Sequence, residues 1–271
     1  MNFLLEILKK KRARVDVAKQ QVSLEVVRAN AESVRASARP HAFTNALTND
    51  AINIIAEFKR KSPSKGPIRP NANPTEIANA YRDGGAAAIS VLTEEDYFDG
   101  SLDDLRAIKI AVKLPVLRKD FVGDEYQVYE AASAGADAVL LIVAALEDRV
   151  LERLLELAEN ELQMDALVEV HTSQEMKRAK DLGAHLIGVN NRDLHTFQVS
   201  LETSIKLAGE APDGSILISE SGLETNDDLR RLKEVGYSGF LIGESLMKSE
   251  DPAASLLALL QKGSKGADDA R

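Results

Sequence analysis

From residue 52 onward the chain alternates two kinds of segment. Short apolar runs, rich in β-branched residues, recur at 52–58, 86–92, 115–117, 138–143, 166–170, 186–189, 215–219 and 239–242, with helical patterning between them. Near-continuous apolar runs suit strands covered on both faces, and strands separated by helices predict parallel βαβ units. Gly85-Ala86, Gly135-Ala136, Gly183-Ala184 and Gly236-Tyr237 each close a helical stretch and precede an even-numbered strand. Glycine suits the left-handed position that ends a helix. Their spacing of roughly 50 residues is two βα units each, and eight units describe a (β/α)8 TIM barrel. An open doubly wound sheet is the alternative, but its Gly-x-Gly-x-x-Gly turn after the first strand is missing. Residues 1–48 carry helical spacing (Leu4, Ile7, Leu8, Val15, Ala18, Val22) and no strand pattern, which predicts an N-terminal helical extension. The basic run Lys9-Lys10-Lys11-Arg12 reads as a solvated helix face. The barrel is expected over 49–262 and a flexible tail over 263–271.

In such a barrel the chemistry sits at the carboxyl ends of the strands. The first segment ends as Ile55-Ala56-Glu57-Phe58-Lys59 and runs into a Ser/Pro/Gly turn with Ser62 and Lys65. Alternation on a strand puts Ile55, Glu57 and Lys59 on one face and Ile54, Ala56 and Phe58 on the other. The odd strands repeat the design, with Lys119 two places after Leu117, Glu169 after Leu167 and Glu220 after Ile218. Four ionisable side chains would crowd one layer, with Lys59 above and Asn190 and Arg192 entering from strand six. Burying isolated charges is costly, so stability alone would not select this set. A structural ion-pair network is the bland alternative, and function is the preferred reading.

The loops after strands seven and eight read Ser221-Gly222-Leu223 and Gly243-Glu244-Ser245. Glycine lets backbone N–H groups approach an anion, and a helix start behind it favours negative charge. These loops are the usual phosphate grip of such barrels, and Ser62, Lys59 and Lys65 are placed to close it. Glu244 must then offer its N–H and turn its carboxylate away.

Composition narrows the classes. Hydrophobic residues make up 44 % of the 271, with no run near the ~18 apolar residues of a membrane span. The first residues meet charge at Glu6, unlike a secretion signal, so a soluble cytoplasmic protein without a membrane partner is expected. A formal charge of -9 argues against nucleic acid as partner. The absence of cysteine removes disulfides and thiolate chemistry. Four histidines without tight carboxylate spacing give no metal site. His171 shares a face with Glu169 and reads either as a proton relay or as a hydrogen-bonded bystander. His195 and Tyr81 show no partner in the sequence.

Glu57-Phe58-Lys59 with Ser62-Pro63-Ser64, Ser90-Val91-Leu92-Thr93-Glu94, Leu117-Arg118-Lys119-Asp120-Phe121, Gly188-Val189-Asn190-Asn191-Arg192-Asp193-Leu194 and Ser219-Glu220-Ser221-Gly222 closely resemble indole-3-glycerol phosphate synthase. Arg39-Pro40 and the N-terminal extension belong to the same resemblance. Lys61 and Tyr97 depart from it, where a small residue and phenylalanine are usual. The resemblance implies ring closure, decarboxylation and dehydration of 1-(2-carboxyphenylamino)-1-deoxyribulose 5-phosphate, without metal or organic cofactor. It implies Lys119 as general acid, Lys59 and Glu169 for the dehydration, and Glu57 and Asn190 as positioning groups. Ser221 would contact substrate, and Arg192 with Lys59 would hold its carboxylate. Ser62, Glu220, Gly222, Gly243 and Glu244 complete the expected binding set. The extension would lie over the barrel mouth, and other tryptophan-pathway enzymes are candidate partners. Phosphoribosylanthranilate isomerase, a Schiff-base aldolase using Lys119 and a non-catalytic phosphate-binding barrel are the competing readings.

Overall fold

The computed structural model describes residues 3–194 and 196–261; His195 and the 263–271 tail lie outside them. Eight parallel strands close into one barrel: β1 (Asn53–Phe58), β2 (Ala88–Leu92), β3 (Val116–Lys119), β4 (Ala138–Ile142), β5 (Asp165–Val170), β6 (Leu186–Asn190), β7 (Ile216–Glu220) and β8 (Tyr237–Ile242). Each pairs with its sequence neighbours, and β8 pairs with β1. Three strands, β3, β6 and β7, run one or two residues further toward their carboxyl ends than the apolar runs suggest. Leu92 pairs with Lys119, Asn190 with Glu220, and Glu220 with Leu241. The ladder is a backbone property, so a charged side chain ends the hydrophobic pattern before it ends the strand.

Alternation sorts the side chains as expected. Ile55, Leu117, Leu167 and Ile218 fill the barrel interior with Ala88, Leu140 and Leu186. Ile54, Ala56 and Phe58 face the helices. Those helices are α4 (Pro74–Asp83), α5 (Leu102–Ala111), α6 (Glu125–Ser133), α7 (Asp148–Glu156), α8 (Ser173–Asp181), α9 (Glu202–Ala208), α10 (Asn226–Glu234), α11 (Glu244–Lys248) and α12 (Pro252–Leu260). The repeating glycines Gly85, Gly135, Gly183 and Gly236 all have positive φ, between 76 and 108°, a region costly for any residue with a Cβ. No helix among the described residues is long and apolar enough to cross a membrane.

Three helices precede β1: α1 (Phe3–Gln21), α2 (Leu24–Arg35) and α3 (Ala42–Asn45). They reach both ends of the barrel. Phe43 and Leu47 of the α3 region are fully buried in the interior cluster. The N–H groups of Phe43 and Thr44 each donate to Asp165 Oδ2 at 3.0 Å. Since Asp165 opens β5, this plug closes the amino-terminal end of the barrel. Leu4 of α1 instead lines the cavity at the opposite end. The basic run is not wholly solvated: Lys11 is buried, with Nζ 2.9 Å from Asp120 and 2.7 Å from Glu95. Helical periodicity explains the exception, because Lys11 follows Leu4 and Ile7 on the buried stripe.

Phe43→Ala should therefore cost about 3–5 kcal/mol by urea unfolding, the usual loss for a buried aromatic. Removal of the exposed Leu5 side chain should change stability by less than about 0.5 kcal/mol.

Candidate active site

The odd strands place their charges together at the carboxyl-terminal mouth. Lys119 Nζ lies 2.9 Å from Glu220 Oε2 and 3.4 Å from Glu169 Oε2. Glu57 pairs with Lys59 beside them. Even strands make the room. Gly188 of β6 lies opposite Glu169 in register, and a Cβ there would collide with a Glu220 carboxylate oxygen. A Cβ at Gly243 would collide in the same way with Glu57. These glycines are needed for close approach, and an isolated glycine within a strand is the sequence signal that could have found Gly188.

Burial acts differently on each charge. It opposes the Lys119 cation, but Glu220, then Glu169 and Glu57, more than offset it and hold the ammonium above the ordinary lysine range. Burial pushes Glu220 up to about 7, with Lys119 opposing and Glu169 adding to the rise. Glu169 is pushed up by burial too, yet Lys119, His171 and hydrogen bonds from Glu220 and Asn190 bring it below the usual carboxylate range. The Asn190 carbonyl oxygen accepts from Arg192 N at 3.0 Å, which leaves its NH2 for Glu169.

Around this centre lies a cavity of about 880 Å³. Every residue expected at the site lines it: Glu57, Lys59, Ser62, Lys119, Glu169, Asn190, Arg192, Glu220, Ser221, Gly222, Gly243 and Glu244. On the β7–β8 side, Ser221 and Gly222 both take positive φ, 69 and 77°. Ser62, from a small antiparallel hairpin after β1 (Lys61–Ser62 with Gly66–Pro67), keeps a buried hydroxyl without a hydrogen-bond partner. The Glu244 carboxylate is taken up by Lys248 at 2.6 Å. Arg192 donates to Phe197 O at 3.3 Å. Across the barrel, Phe98, Phe121, Leu140 and Ile142 form an apolar wall. Glu94 holds the loop that carries Phe98 by accepting from three successive N–H groups, Asp96 to Phe98, at 2.7–3.2 Å.

Against this geometry stand the known proteins. The sequence pattern of the family described as indole-3-glycerol phosphate synthase matches residues 4–259. The chain belongs to the indole-3-glycerol phosphate synthase family. A relative of that description from Carboxydothermus hydrogenoformans is 44 % identical over 263 residues, 95 % of this chain and 99 % of that protein. Another, from Dehalococcoides mccartyi, is 50 % identical over 217 residues, 79 % of this chain and 83 % of its own length. The solved structure of a 3-hexulose-6-phosphate synthase superposes with a TM-score of 0.60 at 16 % identity, covering 77 % of this chain and 98 % of that one. At that identity the likeness is one of fold.

Three supports of the site were not read from the sequence. Asp120, next to Lys119, accepts from Thr93 at 2.6 Å and is flanked by Arg118 at 3.1 Å and Lys11. Burial opposes its charge, but Lys11 and Arg118 hold it at about 2. The Asn191 amide donates to Ser219 Oγ and Ser221 O at 3.0 and 3.1 Å and accepts from Ser204 Oγ at 2.8 Å, fixing the left-handed Ser221 turn. Tyr81 also has a partner, donating to Glu57 O at 2.9 Å. All three depend on residues far apart in the chain.

The Glu220 value sets a pH dependence. A carboxyl group raised in the folded state keeps its proton to a higher pH there than in the unfolded chain, so stability falls as pH rises between about 4.3, the unfolded value, and about 7. Glu220→Gln should remove that loss. In denaturant unfolding the variant should exceed wild type by on the order of 2 kcal/mol at pH 8, and the difference should vanish near pH 4.

Proposed function

We propose that this chain catalyses the indole-3-glycerol phosphate synthase reaction, with Lys119 as the acid of ring closure. The observation that carries the assignment is the Lys119 ammonium beside Glu220 and Glu169, in a chain of this family. The substrate is 1-(2-carboxyphenylamino)-1-deoxyribulose 5-phosphate. Its phosphate belongs on the β7–β8 side, where Gly222, Gly243 and the orphan Ser62 hydroxyl line the cavity. Its aryl ring belongs against Phe98, Phe121 and Leu140. In an eight-stranded ring, strands four apart face each other, so the two subsites hold the substrate extended across the mouth. Ser221 touches the substrate between them.

As the carboxylate-bearing ring carbon attacks the ketone, charge develops on the ketone oxygen. Lys119 supplies a proton there, and a cation in a water-poor site stabilises that charge strongly. Carbon dioxide then leaves and aromaticity returns. In the last step the hydroxyl departs as water with a proton from Lys59, while Glu169 removes a proton from the adjoining methylene carbon. Glu57 holds Lys59, Asn190 holds Glu169, Arg192 and Lys59 face the substrate carboxylate, and Glu220 holds Lys119. A Schiff-base role for Lys119 requires a neutral amine, and its carboxylates act the other way. The N-terminal helix α1, through Leu4 and Lys11, covers part of the mouth. A cytoplasmic location and other enzymes of tryptophan biosynthesis as partners belong to this reading.

Incubation with the substrate should yield indole fluorescence; a folded protein that gives none would refute the assignment. Lys119→Met should lower kcat by about 10²–10⁴-fold, the range for lost general acid catalysis, with a product analogue bound within a few-fold of wild type. Gly222→Val, which adds bulk where a Cβ already meets Val199, should raise KM more than it lowers kcat. Inorganic phosphate should compete with substrate in wild type and compete less in this variant.

A further inference from the structure

Glu169 and Glu220 share one ammonium, and distance favours the wrong partner for the reaction proposed above. Both carboxylates are nearly inaccessible, at 2 % and 1 % exposure. Lys119 stands closer to Glu220, at 2.9 Å, than to Glu169, at 3.4 Å. Attraction falls with separation, so the lysine alone would keep Glu220 ionised and leave the shared proton on Glu169. A protonated Glu169 cannot act as a base.

His171 stands at the other oxygen of Glu169. Its Nε2 is 3.4 Å from Glu169 Oε1, whereas Lys119 faces Oε2. The ring is buried, and among the described residues Nε2 has no hydrogen-bond partner. On the opposite side Nδ1 lies 3.2 Å from Glu175 Oε2, and that same oxygen accepts His171 N at 2.8 Å. Three carboxylates thus face the ring: Glu169 on β5, Glu175 on α8 and Glu220 on β7. Lys119 is paired with Glu169 and Glu220. An imidazole bracketed by two carboxylates is held as the cation. Burial opposes this, but Glu175 and then Glu169 raise the ring above its ordinary value.

We infer that His171 is a positioning residue that keeps Glu169 ionised and thereby leaves the shared proton on Glu220. With a cation at each oxygen, Glu169 is the anion of the pair. Glu220, whose one ion pair among the described residues is with Lys119, is the carboxylic acid. Two carboxyl groups in different surroundings take opposite roles, as in other sites where neighbours push paired acids apart. The inference rests on the proposed reaction only in giving Glu169 the work of a base. His171 does not line the cavity, so its influence runs through Glu169.

The test compares wild type with His171→Gln across pH. Loss of the positive charge makes Glu169 harder to ionise, so the acid limb of the kcat profile should move up by about one pH unit. Below that limb kcat should fall about ten-fold, the deficit should shrink as pH rises, and KM should stay within about two-fold. Superimposable profiles, or an equal loss at every pH, would overturn the inference. A second measurement needs neither turnover nor that variant. The His171 ring is titrated by NMR in wild type and in Glu169→Gln, where its pKa should fall by about one unit. An unchanged ring pKa would overturn the pairing. Wild-type protein that makes no indole product would instead sink the reaction, while the titration still judges His171.

Discussion

Lys119 is held between Glu169 and Glu220 at the top of a closed parallel barrel, and much of the surrounding architecture follows from that ion cluster. Taking such charges out of water costs several kcal/mol per ion, and their attraction offsets this only when geometry is well controlled. The barrel supplies that control. Lys119, Glu169 and Glu220 come from the ends of β3, β5 and β7, whose backbones are fixed by pairing on both sides. Gly188 and Gly243 clear the space beside Glu220 and Glu57. Burial pushes Glu220 toward neutrality, and the neighbouring Glu169 adds to the rise while Lys119 opposes it. A site arranged for catalysis gives up stability in this manner.

The two ends of the barrel divide the tasks of folding and chemistry. At the amino-terminal end, Phe43 and Leu47 fill the interior and Asp165 ties their backbone down. At the carboxyl-terminal end the interior layer is ionic and open to a cavity. The N-terminal segment contacts both ends. Its first helix reaches Asp120 through Lys11, one residue from Lys119, so the docking of α1 and the placement of the acid share a single buried carboxylate. Movement of α1 would alter the charge balance beside Lys119.

The mouth of the barrel is polarised. One side presents glycines, serines and lysines; the other presents Phe98, Phe121, Leu140 and Ile142. For the substrate of the proposed reaction, anionic at one end and aromatic at the other, this polarity favours one orientation. Proximity of this kind supplies a large share of rate enhancement in ring closures, since the reacting carbons must meet. In the proposed orientation the ion cluster faces the middle of the extended substrate.

Local rules were enough for the fold and for most of the site. Period-two alternation put Glu57, Lys119, Glu169 and Glu220 on the inner face, and helix-ending glycines marked the repeat, because both are properties of adjacent residues. The ends of β3, β6 and β7 lie beyond their apolar runs, since hydrophobicity stops where the ladder does not. Lys11 was assigned to solvent because four basic residues in a row hide the helical stripe to which the third belongs. Its partner Asp120 is 109 residues away, and no local pattern announces such a pairing. The same holds for Asn191 with Ser204 and Ser219, and for the α3 plug on Asp165. His171 shows the division most clearly. Its face was legible from its spacing to Glu169, but its charge depends on Glu175 one helical turn further on and on Glu220 across the barrel. Ionisation is set by distances in a medium of low polarity, and those distances exist only once the chain has folded.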